Sequence, residues 1–169
     1  MKQFLSVLLV CLLLSGCGAQ AGKTKINEPS ENSNSLESNA GDDTVMESGN
    51  QILLTVNGQT LTATLAENSS AEALKELLSQ GSLSISMRDY GGMEKVGDIG
   101  TNLPTNDEKI TTEAGDLILY MGSAFVIYYA PNSWNFTRLG KINDITAQEL
   151  KDLLGSGDIQ VTLSVNTEA

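Results

Sequence analysis

The stretch GDLILYMGSAFVIYYAPNSWNFTRLGKI, residues 115–142, decides the fold of this chain. It contains the densest apolar runs outside the N-terminus, the only Trp and three of the four Tyr. The runs Leu117–Tyr120 and Phe125–Tyr129 are rich in β-branched and aromatic residues, and three residues with a central Gly separate them. This pattern predicts a β-hairpin. Because both runs are almost continuously apolar, we expect the hairpin to be covered on both faces and to form the centre of a β structure.

Further strand patterns lie on both sides of this hairpin. Asn57-Gly58 favours the two-residue turn of a hairpin, with a mostly apolar run before it and an alternating run after it. Several other runs have strand length, and most of them alternate apolar with polar residues. These predicted strands are 52–56, 59–65, 83–88, 135–142 and 159–165. Glycines and polar residues predominate between 89 and 113, where we expect loops and short strands.

Two short helices are predicted, one early and one late in the chain. Asn68-Ser69-Ser70 offers capping side chains for a helix from Ala71 to Gln80, and Gly81 ends it. Thr146 caps a second helix that runs through Leu154. Many short strands with two brief helices fit a closed or nearly closed β-barrel.

The composition excludes several classes of function. The formal net charge is −11, from 10 basic and 21 acidic residues, so the phosphates of a nucleic acid would repel the chain. The absence of His removes His-dependent catalytic and metal-binding mechanisms. Asp42 and Asp43 lack the spacing of calcium-loop ligands, and the glycines of 91–100 do not match a phosphate-binding loop. We therefore predict no nucleic-acid partner, no metal and no cofactor.

The N-terminus has the layout of a secretory signal peptide. A short positive region, Met1–Gln3, precedes an apolar run at 4–14 that is too short to cross a bilayer comfortably. Leu14-Ser15-Gly16-Cys17 resembles the lipobox of bacterial lipoproteins, which implies cleavage before Cys17 and acylation of this Cys. We expect a signal peptide at 1–16 and a lipid anchor in the cell membrane, on its extracytoplasmic face. The alternative is an ordinary secretory signal with an incidental Cys.

A polar segment separates the expected anchor from the expected domain. Residues 17–50 are dominated by Ser, Asn, Glu and Gly and have few apolar residues to bury. Such a segment cannot offset its ordering entropy, so we predict a disordered tether that begins with the lipidated Cys. The folded domain is predicted at 51–165, followed by a short tail at 166–169.

Several segments resemble parts of the cyclophilin fold. Ser86–Asp98 is similar to the cyclophilin segment that carries the catalytic Arg, and Ala114–Met121 and Phe125–Tyr128 are similar to two of its strands. Leu139–Ile142 resembles its Phe-Gly-Lys-Val strand. As a whole, 51–165 resembles the bacterial cyclophilin-like domain family. The resemblance implies a mainly β fold, a closed cyclophilin-like β-barrel of about eight strands with two short capping helices.

The resemblance also suggests a function. Cyclophilins hold an X-Pro peptide in a groove on the outer barrel face, where an Arg favours the twisted amide. Arg88 matches that Arg, and Met93 stands near the position of a groove Phe. Glu94, Lys95 and Val96 occupy the region where the family carries a Gln. We therefore favour a module that binds a peptide or small ligand without strong catalysis. The alternatives are a peptidyl-prolyl isomerase, with Arg88 as its catalytic residue, and a non-catalytic scaffold or partner subunit.

We expect one ligand groove on the outer face of the barrel. Its predicted members are Arg88, Tyr90, Met93, Glu94, Trp134 and Arg138. Arg88 lies on the polar side of its strand, and Gly91-Gly92 lets the following loop approach a neighbour closely. An Arg with aromatic faces suits a carbonyl or carboxylate on an apolar body. The alternatives are surface ion pairs for the two arginines and barrel-wall positions for Tyr128, Tyr129 and Trp134.

Overall fold

The structure, a computed structural model, describes residues 48–167. The predicted signal peptide, Cys17 and most of the predicted tether lie outside these residues. No helix within 48–167 has the length and apolarity needed to cross a membrane. A short 3₁₀ turn precedes the first strand. The strands and α-helices are β1 Gln51–Val56, β2 Gln59–Leu65, α1 Ser69–Ser79, β3 Leu83–Tyr90, β4 Glu94–Asp98, β5 Glu108–Thr111, β6 Asp116–Tyr120, β7 Ala124–Tyr128, β8 Ser133–Ile142, α2 Ala147–Leu154 and β9 Ile159–Val165.

Eight of these strands form a closed antiparallel barrel, in the order β2-β1-β9-β3-β4-β7-β6-β8. The ring closes where β8 pairs with β2, with Ile142 opposite Ala63 and Gly140 opposite Leu65. A Cβ atom on Gly140 would lie 2.4 Å from the carbonyl oxygen of Thr64, so the close approach of the two strands requires glycine here. β5 pairs with the first half of β8 and lies outside the ring. The predicted closed barrel is confirmed.

The central hairpin is formed by β6 and β7 and has two buried faces. One face contributes to the main core of the barrel, and the other belongs to a second, smaller cluster. The hairpin residues in the main core are Leu117, Leu119, Phe125 and Ile127. The second cluster contains Ile118, Val126, Tyr128 and Phe136. Successive residues of a strand point to opposite faces, so the nearly continuous apolar runs serve both clusters. The prediction that this hairpin is covered on both faces is confirmed.

Two tight turns set the register of the hairpins. Asn57 and Gly58 have φ values of 50° and 79°, which are the positive values that a primed two-residue turn requires. This turn joins β1 to β2, as the Asn-Gly pair predicted. In the β6–β7 turn, Met121 and Gly122 also have positive φ values, 51° and 80°.

The helices add apolar side chains to the main core. Asn68 caps α1 by accepting hydrogen bonds from the backbone N–H groups of Ser70 and Ala71, at 3.0 and 2.9 Å. Its side-chain amide also donates to the carbonyl of Arg138, at 2.8 Å, and so joins the helix to β8. Thr146 and Glu149 form a capping box at the start of α2. The buried apolar residues of the two helices are Ala71, Leu74, Leu78, Leu150 and Leu154.

Candidate functional site

The pairing register of the strands places the predicted Arg on the outer face of the barrel. Arg88 of β3 lies opposite Val96 of β4, Val96 opposite Val126 of β7, and Val126 opposite Ile118 of β6. Side chains directly opposite one another point to the same face of a sheet. Since Ile118 and Val126 belong to the second cluster, this row lies outside the main core.

A second row lies beside the first on the same face. Tyr90 lies opposite Glu94, and Glu94 lies opposite Tyr128. The turn between β3 and β4 contains Gly91 and Gly92, both with positive φ values, 63° and 65°. Glycine adopts this conformation without the steric cost that other residues incur, so the turn can join the two strands tightly. Except for Ile118, the residues of these two rows line one depression.

This depression is a cavity of about 470 Å³. Residues of β3, β4, β6, β7 and β8, and one residue of the β7–β8 loop, surround it. The lining residues are Arg88, Tyr90, Glu94, Val96, Tyr120, Ala124, Val126, Tyr128, Asn132, Trp134 and Phe136. Its volume is in the usual range of small-molecule sites, about 300–1,000 Å³.

Aromatic rings make up much of the cavity wall. Phe136 is buried and packs against Tyr128 and Tyr120, with ring centroids 5.6 and 6.1 Å apart. Tyr90 and Trp134 also line the cavity, yet each is 61 % exposed. The rings of Phe136, Tyr128 and Tyr120 therefore pack together, and Tyr120, Tyr90 and Trp134 offer uncovered apolar surface to a ligand.

Glu94 is a buried carboxylate in this wall. It is 8 % exposed, and burial raises the pKa of its carboxyl above the usual value, because desolvation disfavours the charged form. A hydrogen bond from the Tyr128 hydroxyl opposes that shift. Asn132 donates its side-chain amide to the same hydroxyl oxygen, at 3.2 Å. Burial and the hydrogen bond to Glu94 raise the pKa of Tyr128 as well, so its hydroxyl remains a neutral donor.

Arg88 lies at the edge of the cavity and is exposed. No other residue in the described range 48–167 forms a hydrogen bond or an ion pair with its side chain. It also borders a second cavity, of about 450 Å³, whose acidic members are Asp98 and Asp158. Its guanidinium therefore keeps its five donors available for a ligand in either cavity.

The structure brings together four of the six predicted groove residues. Arg88, Tyr90, Glu94 and Trp134 line one cavity, whereas Met93 and Arg138 are not part of its lining. Met93 is partly buried and packs against the second cluster beside the cavity. The side chain of Arg138 donates to Asp116, with 3.1 Å between Nη2 and Oδ2, and the Asp116 side chain is 1 % exposed. This ion pair is the alternative that the sequence offered for Arg138.

Other cavity residues were not assigned to a site from the sequence. Tyr120 and Phe136 were recognised only as strand residues, and Tyr128 was placed in the barrel wall. Tyr128 does lie in the wall, but its side chain lines the cavity. The two-residue alternation of Trp134 with Phe136 is a signal that could have placed both on one face.

The opposite face of the same strands carries a separate polar cluster. Lys95 is completely buried and donates to Asp89 Oδ2, at 3.0 Å, and to the carbonyl of Gly157, at 2.7 Å. The Tyr129 hydroxyl donates to the same Asp89 oxygen, at 2.7 Å. These hydrogen bonds, chiefly that from Tyr129, lower the pKa of Asp89. The cluster joins β3 and β4 to the loop that follows α2. Within the described residues, no three acidic side chains gather into a possible metal site.

Comparison with known proteins gives the family. The sequence pattern of the cyclophilin-like family matches residues 54–164. The chain belongs to this family. A similar fold is found in the solution structure of the hypothetical protein AF2241 from Archaeoglobus fulgidus, with a TM-score of 0.52. The two chains are 11 % identical, and the match covers 69 % of this cyclophilin-like chain and 94 % of the other, so the likeness concerns the fold alone. No curated protein matches the chain.

Proposed function

We propose that this cyclophilin-like domain is a binding module whose outer-face cavity receives a peptide or small ligand, without strong catalysis. We propose further that a lipid on Cys17 holds it at the extracytoplasmic face of the cell membrane. The observation that supports binding is the unpaired guanidinium of Arg88 at the edge of a concave aromatic cavity. The lipobox-like string before Cys17 supports the anchor.

The two kinds of surface in the cavity suit different parts of one ligand. Tyr90 and Trp134 offer exposed ring surface, and covering this apolar surface by a ligand removes it from water, which favours binding. Arg88 offers planar, charged donors that suit a carbonyl or carboxylate. A scaffold without a ligand has no need for a cavity with these groups, so we rank the binding module above it.

A prolyl isomerase is the second candidate, and the position of Arg88 favours it. An Arg beside an apolar cavity on the outer face can donate to a prolyl nitrogen and so bind the twisted amide more tightly than the planar one. However, the residue directly opposite Arg88 is Val96, whose side chain has no hydrogen-bonding group. A substrate carbonyl therefore lacks a side-chain partner there, which argues for binding without strong catalysis.

A screen of peptides and small ligands against the full chain tests the binding function. Trp134 is the only Trp of the chain and lines the cavity, so its fluorescence reports occupancy there. We expect hits that change this fluorescence and that lose affinity in Arg88→Ala. Hits whose binding is measured by calorimetry and is unaffected by Arg88→Ala and Trp134→Ala would place the site elsewhere. An assay of cis-trans isomerisation with Xaa-Pro peptides tests the second candidate. Acceleration by the wild-type protein that is lost in Arg88→Ala would support a prolyl isomerase.

Membrane fractionation tests the proposed anchor. We expect the wild-type protein to partition with membranes and Cys17→Ala to be released or to remain unprocessed, because the acceptor of the lipid is missing. Cys11→Ala is the matched control, since Cys11 lies within the predicted signal peptide. Equal partition and processing of Cys17→Ala and wild type would contradict the anchor.

A further inference from the structure

The cavity contains a buried acid that no basic residue neutralises. Glu94 is 8 % exposed, and no Lys or Arg of the described part of the chain pairs with it. Its partner on the protein side is the neutral hydroxyl of Tyr128. Burying an unpaired carboxylate is unfavourable, and the raised pKa of Glu94 reflects this cost. A cation in the cavity would remove the cost.

The surroundings of Glu94 also suit a cation. Five aromatic residues line the cavity, namely Tyr90, Tyr120, Tyr128, Trp134 and Phe136. The face of an aromatic ring attracts a positive charge, and quaternary ammonium groups are commonly bound among several such rings. An acid together with several rings is therefore a set of groups that recognises an organic ammonium ion. The net charge of −11 adds a long-range attraction for cations.

Arg88 supplies a positive group near this acid. Arg88 lies opposite Val96, and Glu94 lies two residues before Val96 on the same strand. Such diagonal neighbours have their backbones about 7–8 Å apart, and the structure contains no ion pair between these two side chains. The cavity thus presents a negative and a positive group on neighbouring strands that form no ion pair with each other.

We propose that the cavity binds a small zwitterion, with its organic ammonium group against Glu94 and the aromatic rings, and its carboxylate on Arg88. This proposal rests on the proposed binding function and narrows it to one class of ligand. The volume of about 470 Å³ accommodates a small molecule of this kind.

Three probe compounds distinguish recognition of the ammonium group from recognition of the carboxylate. 4-(Trimethylammonio)butanoate carries both charges, 5,5-dimethylhexanoate replaces the ammonium nitrogen by carbon, and butyltrimethylammonium lacks the carboxylate. Each is titrated into the full chain, with Trp134 fluorescence and calorimetry as readouts. We expect the zwitterion to bind at least tenfold more tightly than either of the other two, a difference of about 1.4 kcal/mol or more.

Substitutions test whether Glu94 recognises the ammonium group and Arg88 the carboxylate. Glu94→Gln should abolish the preference for the ammonium compound over its carbon analogue, while Glu76→Gln, an exposed acid on α1, should keep it. Arg88→Gln should abolish the preference for the zwitterion over butyltrimethylammonium. Lys109→Gln, an exposed basic residue outside the cavity lining, should keep that preference.

The pH dependence provides a separate readout. The titratable and charged side chains that line the cavity with Glu94 are Arg88 and Tyr90 from β3, Tyr128 from β7 and Tyr120 from β6. Tyr129, which follows β7, also interacts electrostatically with Glu94. Arginine and tyrosine side chains do not ordinarily titrate between about pH 4 and pH 7, whereas a Glu does. Affinity for butyltrimethylammonium, which has no titratable group of its own, should therefore rise with pH as Glu94 ionises, and Glu94→Gln should remove this rise.

The outcomes distinguish this proposal from the broader one. If the carbon analogue binds as tightly as the zwitterion, or Glu94→Gln keeps the preference, cation recognition is wrong while the cavity remains a binding site. If no probe binds at about 10 mM, a Kd that corresponds to about −2.7 kcal/mol, the zwitterion proposal is also overturned. In that case the ligand screen with Arg88→Ala and Trp134→Ala still decides on the proposed function independently.

Discussion

The two faces of the central hairpin have the same kind of residues and different surroundings. On the inner face, Ile127 belongs to a core that includes both helices and strands from all sides of the barrel. On the outer face, Ile118 belongs to a small cluster with Val126, Tyr128 and Phe136. Only a few partly buried side chains pack on that cluster, and a cavity lies beside it.

This difference separates stability from binding along a single pair of strands. Adjacent residues of β7, Ile127 and Tyr128, point to opposite faces, so the same hairpin contributes to the main core and to the cavity wall. Three sets of substitutions test whether stability and binding depend on different faces of the hairpin. They concern one isoleucine on each face, two acids with opposite pKa shifts, and the exposed residues of the cavity.

The largest effect is expected on the inner face. Ile127 and Ile118 are 1 % and 0 % exposed, so substitution by Ala removes the same buried atoms from the two clusters. We expect Ile127→Ala to reduce the free energy of unfolding by about 4 kcal/mol, and Ile118→Ala by about 2 kcal/mol. The outer cluster can relax toward the cavity, whereas the enclosed core cannot.

Urea unfolding of the two variants measures this pair of values. A loss below about 1 kcal/mol at both positions, which is typical of surface substitutions, would show that the hairpin is misplaced. Equal losses at the two positions would show that the outer cluster is packed as tightly as the inner core.

Next in size are substitutions at the edge of the cavity. We expect Arg88→Ala and Trp134→Ala to change the free energy of unfolding by no more than about 0.5 kcal/mol, because both side chains are exposed. Binding of a ligand found by screening should nevertheless fall at least tenfold, or about 1.4 kcal/mol, in Arg88→Ala. Calorimetry and urea unfolding of the same preparations measure the two effects. A loss of stability equal to the loss of binding would mean that the two faces are not independent.

A smaller effect is expected from Glu94 on the outer face. Its raised pKa means that the folded state holds its proton to a higher pH than the unfolded state does, so stability decreases as pH rises through that interval. Glu94→Gln should remove this decrease and make the protein more stable than wild type at neutral pH. Unfolding at about pH 4 and pH 7, on either side of the expected titration, measures it. Glu76→Gln should keep the wild-type pH dependence.

Asp89, on the inner side of the same strands, should show the opposite sign. Its pKa is lowered, chiefly by the hydrogen bond from Tyr129 and then by Lys95. The stability that it contributes is therefore present above the pKa of an unfolded Asp, about 4, and is lost as pH falls through the lower folded value. Asp89→Asn should therefore reduce the dependence of the free energy of unfolding on pH at acidic pH. Asp144→Asn, at an exposed position, is the control, and a pH dependence unchanged by Asp89→Asn would contradict the assignment.

Most of the fold was predictable because its signals are local. Apolar runs defined the central hairpin, Asn57-Gly58 defined the first turn, and alternation defined β3 and β9. The strands β4 and β5 were not assigned individually. In β4, Glu94 and Lys95 are both buried and held by partners from other strands, so the strand lacks an apolar pattern. β5 is mostly exposed and pairs with β8 alone.

The site was less predictable than the fold, since its composition depends on how the strands pair. Resemblance and alternation led to Arg88 and Tyr90, which do line the cavity. An ion pair of Arg138 was among the alternatives from the sequence, but no local pattern indicates that its partner Asp116 is buried. Tyr120 and Phe136 reach the cavity because β6 pairs with both β7 and β8, and because β7 also pairs with β4, which lies well before it in the chain.

The position of β9 in the ring has a consequence for how the barrel forms. This last strand lies between β1 and β3, with Val165 opposite Ile52 and Leu163 opposite Leu83. The pairing of β9 with β1 thus joins the two ends of the domain, and topologies with such distant pairings fold slowly. Until residues 159–165 are in place, β1 and β3 both present unpaired edges, which can pair with the edges of other chains. Loss of the final strand should therefore produce an aggregating chain rather than a smaller barrel.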